Sequence, residues 1–509
     1  MRKELKMSHD SEAAYASSEI ADIIQGKAVK FFGTLTAGGT WSLSAGREGS
    51  TAWPLADGLI QAKNSKLTVQ DVNIAFEYKR PNEGVHGILT AVGQSLAYLE
   101  KGYDASVICI PKIYTSHANP GVHVKNIIET TAPDAPITVY TYETPNMANT
   151  RPFSKKLTCI RDIDLSKSIV YRSSGAKKVS GQISTIWAHV REGMSHPDAF
   201  FRYCQGVKII SSIGEDKSKY TLPKEIIDAV KRVDPTADPW MYLSNTPGDS
   251  MSDMAWRYVW FNYYFWPGLM PLYTSKTPYT VNDIETKIRI DVTTKQKLFS
   301  GRSDSIKAKL VDKLNKTSGY TEDDAWEEYV KKVRKDAHSY REVIDSGLYQ
   351  LGLLDADSLL TDYGYKYVNA CEKAGNNPYN DEPMNILRAI SLQIGQFDVF
   401  LYTAYKYSQD RFQAYFDDFT KVKKLKTGDK IVFQSADYLD WLDDVFTNQL
   451  HMYKKTTLRA GGTRKPFQAE MAYLKKLGFI YSNNAFKRGT GLNIDWPLVE
   501  GSLIYFQGI

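Results

Sequence analysis

The stretch from residue 72 to residue 110 constrains the fold more than any other part of the chain. Val72 to Lys79 alternates like a strand, Gly87 to Lys101 sets Ile88, Val92, Leu96 and Leu99 on one helical stripe, and Val107 to Ile110 is a second apolar strand. A strand, a helix and a strand at this spacing predict a right-handed crossover with its two strands parallel in one sheet. Further strands are expected at Leu59-Ile60 and over Ile137 to Tyr142, and an amphipathic first helix over Ser11 to Gln25. Gly33 to Gly49, rich in Gly, Thr and Ser, reads as turns or a short hairpin.

The chain has 509 residues, 42% of them hydrophobic and 24% charged. That is more than one core usually organises, so about two to four domains are expected. The polar, Pro-containing stretch Thr144 to Lys156 marks a boundary, which gives an N-terminal domain over 1–150. A mixed middle domain over 151–279 follows, with a strand at Val207 to Ile213, a helix at Pro223 to Val233 and an aromatic block, Trp256 to Trp266. That block reads as buried core, with stacking faces for an unpaired base as the alternative.

From Thr280 the pattern is helical, divided into 280–380 and 381–509. In each half a helix ends at Leu-Gly with a short strand pair behind it: Tyr340 to Gln350 before Leu351 to Gly364, and Phe467 to Leu477 before Gly478 to Leu492. This is the layout of a winged helix-turn-helix, though a glycine-capped helix before a hairpin also occurs without nucleic acid.

Several classes fall away. Cys109, Cys159, Cys204 and Cys371 form no CxxC pair, which removes zinc-ribbon and disulfide-framework readings and suits a reducing bacterial cytoplasm. Met1 to Lys6 leads into no apolar run, so no secretory signal is expected. Arg257, Asn262 and Pro267 interrupt the most apolar stretch, so no membrane span is expected either. A net charge of +6, from 64 Lys+Arg against 58 Asp+Glu, permits a nucleic-acid partner without requiring one.

Chemistry concentrates between Ala56 and Tyr98. On the strand Val72 to Lys79, Ile74, Phe76 and Tyr78 face one side and Ala75, Glu77 and Lys79 the other. Asp57 heads the short apolar strand upstream, and antiparallel pairing would set it beside Glu77, where two carboxylates suit a hard divalent cation, Mg2+. Such a site favours phosphodiester cleavage, with Lys79 orienting or deprotonating the attacking water and stabilising developing charge. Gln94 and Tyr98, four apart on the helix, point the same way. Asp71 is a rival to Asp57, but it sits beside a turn rather than opening a strand. A lone ExK is nearly worthless as a signal, and Glu77 with Lys79 could be an ordinary ion pair. His86, His117 and His123 lack metal-ligand spacing and read as surface residues.

Asp57, Glu77-Tyr78-Lys79 and Gln94-Ser95-Leu96-Ala97-Tyr98 resemble the PD-(D/E)xK nuclease superfamily, and the QxxxY helix resembles its RecB-like branch. The resemblance covers about the first 145 residues and departs from the motif in having Ala56 before Asp57, with the proline displaced to Pro54. It implies a restriction-endonuclease-like α/β core with a mixed sheet. By that resemblance Asp57 and Glu77 are metal ligands, Lys79 is the catalytic lysine, and Gln94 and Tyr98 lie at the substrate edge. A further acid from the first helix is implied, Glu19 first and Glu48 second.

Two basic stretches mark a DNA-contacting surface: Lys421, Lys423, Lys424 and Lys426, then Lys454, Lys455, Arg459, Arg464 and Lys465. The expectation is therefore a site-specific endonuclease resembling a type II restriction enzyme, of the kind that cuts away from its site. The N-terminal domain would cut double-stranded DNA and mostly helical winged-helix-type domains would recognise it. Cutting both strands implies a homodimer or homotetramer, and restriction implies a cognate DNA methyltransferase. The alternatives are a RecB-like repair or defence nuclease acting on ends or single strands, although no Walker motif is present, and a non-catalytic DNA-binding regulator.

Overall fold

The computed structural model describes residues 8–32, 39–49, 53–66, 71–114, 117–143, 156–165, 183–191, 194–213, 227–228, 230–231, 234–239, 242, 251–260, 303–417, 431–454, 458–459, 462–463, 465–487 and 491–508. The chain divides into two units: Met1–Ala188 with Gln396–Met471 and Ile480–Glu500, and His189–Gly395 with Ala472–Phe479 and Gly501–Ile509.

A seven-stranded mixed sheet organises the first unit. Its strands are β1 (Trp41–Glu48), β2 (Gly58–Asn64), β3 (Val72–Tyr78), β4 (Ala105–Pro111), β5 (Ile137–Tyr142), β6 (Leu157–Arg161) and β7 (Ile183–Ser184). They stand in the order β6-β5-β4-β3-β2-β1-β7. The expected crossover is present: β3, α3 (Gly84–Lys101) and β4 follow one another, and β3 runs parallel to β4, as β4 does to β5. All other pairings are antiparallel. Strands β6 and β7, both beyond residue 150, belong to this same sheet.

Helices cover both faces, so β3 is buried along its length and reads as a nearly continuous apolar run. On one side α1 (His9–Gly26) lays Ala13, Ala16, Ile20 and Ile24 against Ile60, Ile74, Phe76 and Val107, with α2 (Ala28–Phe32) adding Phe31 and Phe32. On the other, Ile88, Ala91 and Val92 of α3 and Val124 and Ile128 of α4 (Pro120–Thr131) pack on Ile108, Ile110 and Val139. The alternation of β3 holds: Phe76 joins the α1 side, whereas Ala75 packs with Leu59 and Tyr98 on the α3 side. Full enclosure of a side chain like Phe76 contributes roughly 2–3 kcal/mol.

Two expectations are corrected. Trp41 to Glu48 is not turn but an eight-residue strand paired with β2 along most of its length. Its small Ser, Ala and Gly residues mask a burial alternation through Trp41, Leu43 and Ala45. Val207 to Ile213 is not a strand but the end of the helix α5 (Pro197–Ile213). Phe200, Tyr203, Cys204, Val207 and Ile210 are buried at helical spacing, which overrides the β propensity of the Val-Lys-Ile-Ile run. Helix α6 (Met251–Trp260) follows, with Trp256 and Trp260 fully buried as the core reading expects; residues 261–266 lie outside the described part. An added Cβ on Gly206 of α5 would come within 2.7 Å of Val259 Cγ2, so glycine there permits the close approach of α6. Most of the helix expected at Pro223 to Val233 also lies outside the described residues.

The rest is mostly helical: α7 (Ser303–Lys316), α8 (Glu322–Gln350), α9 (Asp362–Lys373), α10 (Asp381–Gln393), α11 (Phe397–Arg411), α12 (Gln413–Asp417), α13 (Ala436–Asp444), α14 (Gln468–Lys476) and α15 (Trp496–Phe506). Behind α8, a single Leu354–Leu360 bridge replaces the expected strand pair, and Thr361 caps α9 by accepting from Gly364 N. Past α14, the strands Phe486–Lys487 and Gly491–Leu492 do pair as a hairpin. Among the described residues no helix is long and apolar enough to cross a membrane.

Candidate active site

The register that pairs Gly58 with Phe76 sets Asp57 opposite Glu77, one step further along the β2–β3 ladder. Asp57 Oδ2 accepts from Tyr78 N at 2.7 Å, which closes the ladder at that end. Glu77, wholly enclosed, meets the Lys79 ammonium through Oε1 at 2.6 Å and accepts from the Tyr98 hydroxyl through Oε2 at 2.5 Å. Asp57, Glu77, Lys79 and Tyr98 are thus brought together at one strand end. The backbone there is pinned as well: Lys79 N donates to Cys109 O, and Lys79 O accepts from the Tyr142 hydroxyl.

The charges are strongly coupled. Burial, then the neighbouring Glu77 charge, pushes the Asp57 carboxyl up to about 7, against the opposing pull of His9, Tyr78 N–H and Lys79. Burial also raises Glu77, offset in part by Lys79 and Tyr98. For Lys79, burial works against the ammonium, but Glu77, Asp57 and Glu83 outweigh it and hold the amine above its ordinary range. Lys79 is therefore a cation at neutral pH, paired through its N–H groups with the neighbouring carboxylate; it is not poised as a base.

His9 was not anticipated from sequence. As the first residue of α1 it enters the same cluster, with Nε2 2.9 Å from Tyr78 O, 3.8 Å from Asp57 Oδ2 and 3.7 Å from Glu83 Oε1. Its Nδ1 lies 3.2 Å from Asp10 Oδ1. Burial lowers its basicity, but Asp10, Asp57 and the Tyr78 carbonyl outweigh this and carry it up to about 9. Nothing in local spacing signals a contact 69 residues away. Glu12, one turn along α1, accepts from the Tyr78 hydroxyl at 2.7 Å and lies 3.4 Å from Arg80.

The other candidates stand elsewhere or do other work. Glu48 holds Lys101 at 2.8 Å and accepts from Ala56 N at 2.8 Å, so it ties down the segment leading to Asp57. Glu19 is buried within α1. Asp71 pairs with Lys63 at 3.5 Å at the opposite end of β3 from Lys79, roughly 26 Å away at strand rise. Gln94 is half-buried one turn before Tyr98, and its Oε1 is enclosed with no hydrogen-bond partner among the described residues. His86, His117 and His123 are exposed.

Of the basic stretches, Lys421, Lys423, Lys424, Lys426, Lys455 and Arg464 lie outside the described residues. Arg459 contributes backbone to a two-residue strand, Lys465 is exposed, and Lys454 pairs with Asp443 and lies 4.7 Å above the Phe467 ring.

Among the described residues no three His, Cys, Asp or Glu side chains are grouped as a metal-holding set, so Glu19 does not join Asp57 and Glu77 as a third ligand. The donors that do converge are the Asp57 and Glu77 carboxylates and the Tyr78 carbonyl, which accepts from the His9 ring. Two carboxylates and a carbonyl are hard oxygen donors of the kind that suits a small divalent cation, and the Lys79 ammonium and the His9 ring supply the opposing charge here. No protein-family model matches the chain, and no curated protein is significantly similar to it.

Proposed function

We propose that the protein is a Mg2+-dependent DNA endonuclease of the PD-(D/E)xK type, resembling a type II restriction enzyme, with cleavage by the sheet-bearing unit. The observation that carries this reading is the meeting of Asp57, Glu77 and Lys79 at one strand end, backed by Tyr98. In it, Asp57, Glu77 and the Tyr78 carbonyl would hold Mg2+. When bound, the ion supplies charge neutralisation at the scissile phosphate and acidifies water.

The chain's own groups do the rest. Tyr98 fixes Glu77 Oε2 and leaves Oε1 to the ammonium of Lys79. Lys79, held charged, stabilises negative charge developing on the phosphate and orients the attacking water by donation. The attacking water would lose its proton to a phosphate oxygen or to solvent, since Asp57 in this reading is an ionised ligand. The basic stretches and the winged-helix-like piece around α14 would supply phosphate contact and base reading, and a homodimer or homotetramer would cut both strands.

The test is to incubate the purified protein with plasmid and phage DNA and Mg2+. Discrete fragments are expected. A smear or resection from ends would select the RecB-like repair or defence reading, and a mobility shift without cleavage would leave a non-catalytic DNA-binding regulator.

A further inference from the structure

Two residues stand out into solvent on the segment that delivers Asp57. Trp53 is 84% exposed and Leu55 is 48% exposed. An indole this open forgoes burial of a large apolar surface, one that aromatic residues usually enclose. Among the described residues Trp53 has no ring or hydrogen-bond partner.

The segment beneath it is nevertheless fixed. Lys101 Nζ donates to Pro54 O at 2.7 Å, the Tyr98 hydroxyl to Leu55 O at 3.0 Å, and Ala56 N to Glu48 Oε2 at 2.8 Å. Asp57 then takes the Tyr78 amide at 2.7 Å. Four consecutive residues are thus anchored, and the hydroxyl that holds Leu55 is the one that holds Glu77. The backbone from Pro54 to Asp57, next to Trp53, has little left to lose in ordering, so less of the gain from a ring contact is offset by the entropy of fixing that stretch.

We infer that Trp53 is a stacking platform for a nucleobase left unpaired where the duplex opens at the cut, on the DNA strand whose phosphate meets Asp57 and Glu77. Four residues of extended chain span at most about 14 Å. That places the backbone of Trp53 within about four nucleotide steps of that of Asp57 at 3.4 Å per step. One flat aromatic face suits one base of any identity, because every base has a π-face. A protein partner would demand a broad apolar patch, whereas among the described residues of this segment the exposed apolar side chains are these two.

The inference rests on the nuclease reading, and the experiment separates the two. Wild type, Trp53→Ala and Trp53→Phe are compared for binding of a fluorescein-labelled mixed-sequence single strand, and of the same duplex bearing a frayed end, with Ca2+ in place of Mg2+. Because the ring is exposed, all three variants are expected to melt together. The expected result is that Trp53→Ala weakens binding by roughly 5- to 100-fold, the range of one base–aromatic stack, while Trp53→Phe stays near wild type. A 2-aminopurine reporter near the cut is quenched by wild type and released by Trp53→Ala. Wild-type binding and cleavage with an unchanged Trp53→Ala would overturn this inference alone. Absence of DNA binding by wild type would overturn it together with the nuclease reading.

Discussion

Asp398 heads α11 as a wholly enclosed carboxyl with the Ser11 hydroxyl 2.7 Å from both of its oxygens. Burial, with the Asp10 charge adding, pushes it up to about 7, against Ser11, its own Val399 amide and Arg47. The folded state therefore holds this proton far more tightly than the unfolded chain, in which an aspartate releases it near 4. The neutral form's contribution is fully present below about pH 4 and declines as pH rises toward 7, by at most about 4 kcal/mol. Asp398→Asn keeps an acceptor for Ser11 and Val399 and removes the titration. Urea unfolding of both proteins from pH 4 to 8 is predicted to show the variant gaining on wild type as pH rises, and parallel curves would refute the assignment.

At the scale of elements, α1 joins this carboxyl to the candidate site. Ser8 caps the helix by accepting from Ser11 N at 3.1 Å and donates to the Ser11 hydroxyl at 2.7 Å; His9 is the next residue. Ser8→Ala should cost about 1 kcal/mol in unfolding free energy. DNA cleavage should fall by more than that loss explains, because His9 is set by the same turn. Activity that tracks stability alone would show that the cap does not position His9.

The elements legible in sequence were those whose signal is local. The alternation of β3, the stripe of α3 and the Asp57–Glu77 adjacency follow from period and strand order, and Tyr98 follows from its place on α3. What sequence missed is set by contacts between distant residues. His9 reaches Tyr78 only through the docking of α1, β1 hides its alternation behind small residues, and α5 overrides a β-branched run by burial at helical spacing. Glu48 is an acid near the site by position, yet its two oxygens serve Lys101 and Ala56.

Across the whole chain, cutting by the sheet-bearing unit would draw much of its DNA affinity from basic residues far along the sequence. Lys423, Lys424 and Lys426 each neutralise one phosphate in this reading. Replacing all three with Ala should reduce the slope of log affinity against log salt by about 2 to 3, at roughly 0.9 per contact. The single-turnover cutting rate at saturation should be little changed, and an unchanged salt slope would remove these lysines from the interface.

The central claim is that Lys79, charged against Glu77, acts on a phosphodiester at this strand end. Its most direct test is the Mg2+-dependent cleavage rate of bound DNA by Lys79→Ala beside wild type. Loss of at least about a hundredfold in rate, with DNA affinity nearly unchanged, is the predicted result; cleavage by the variant at the wild-type rate would contradict the account.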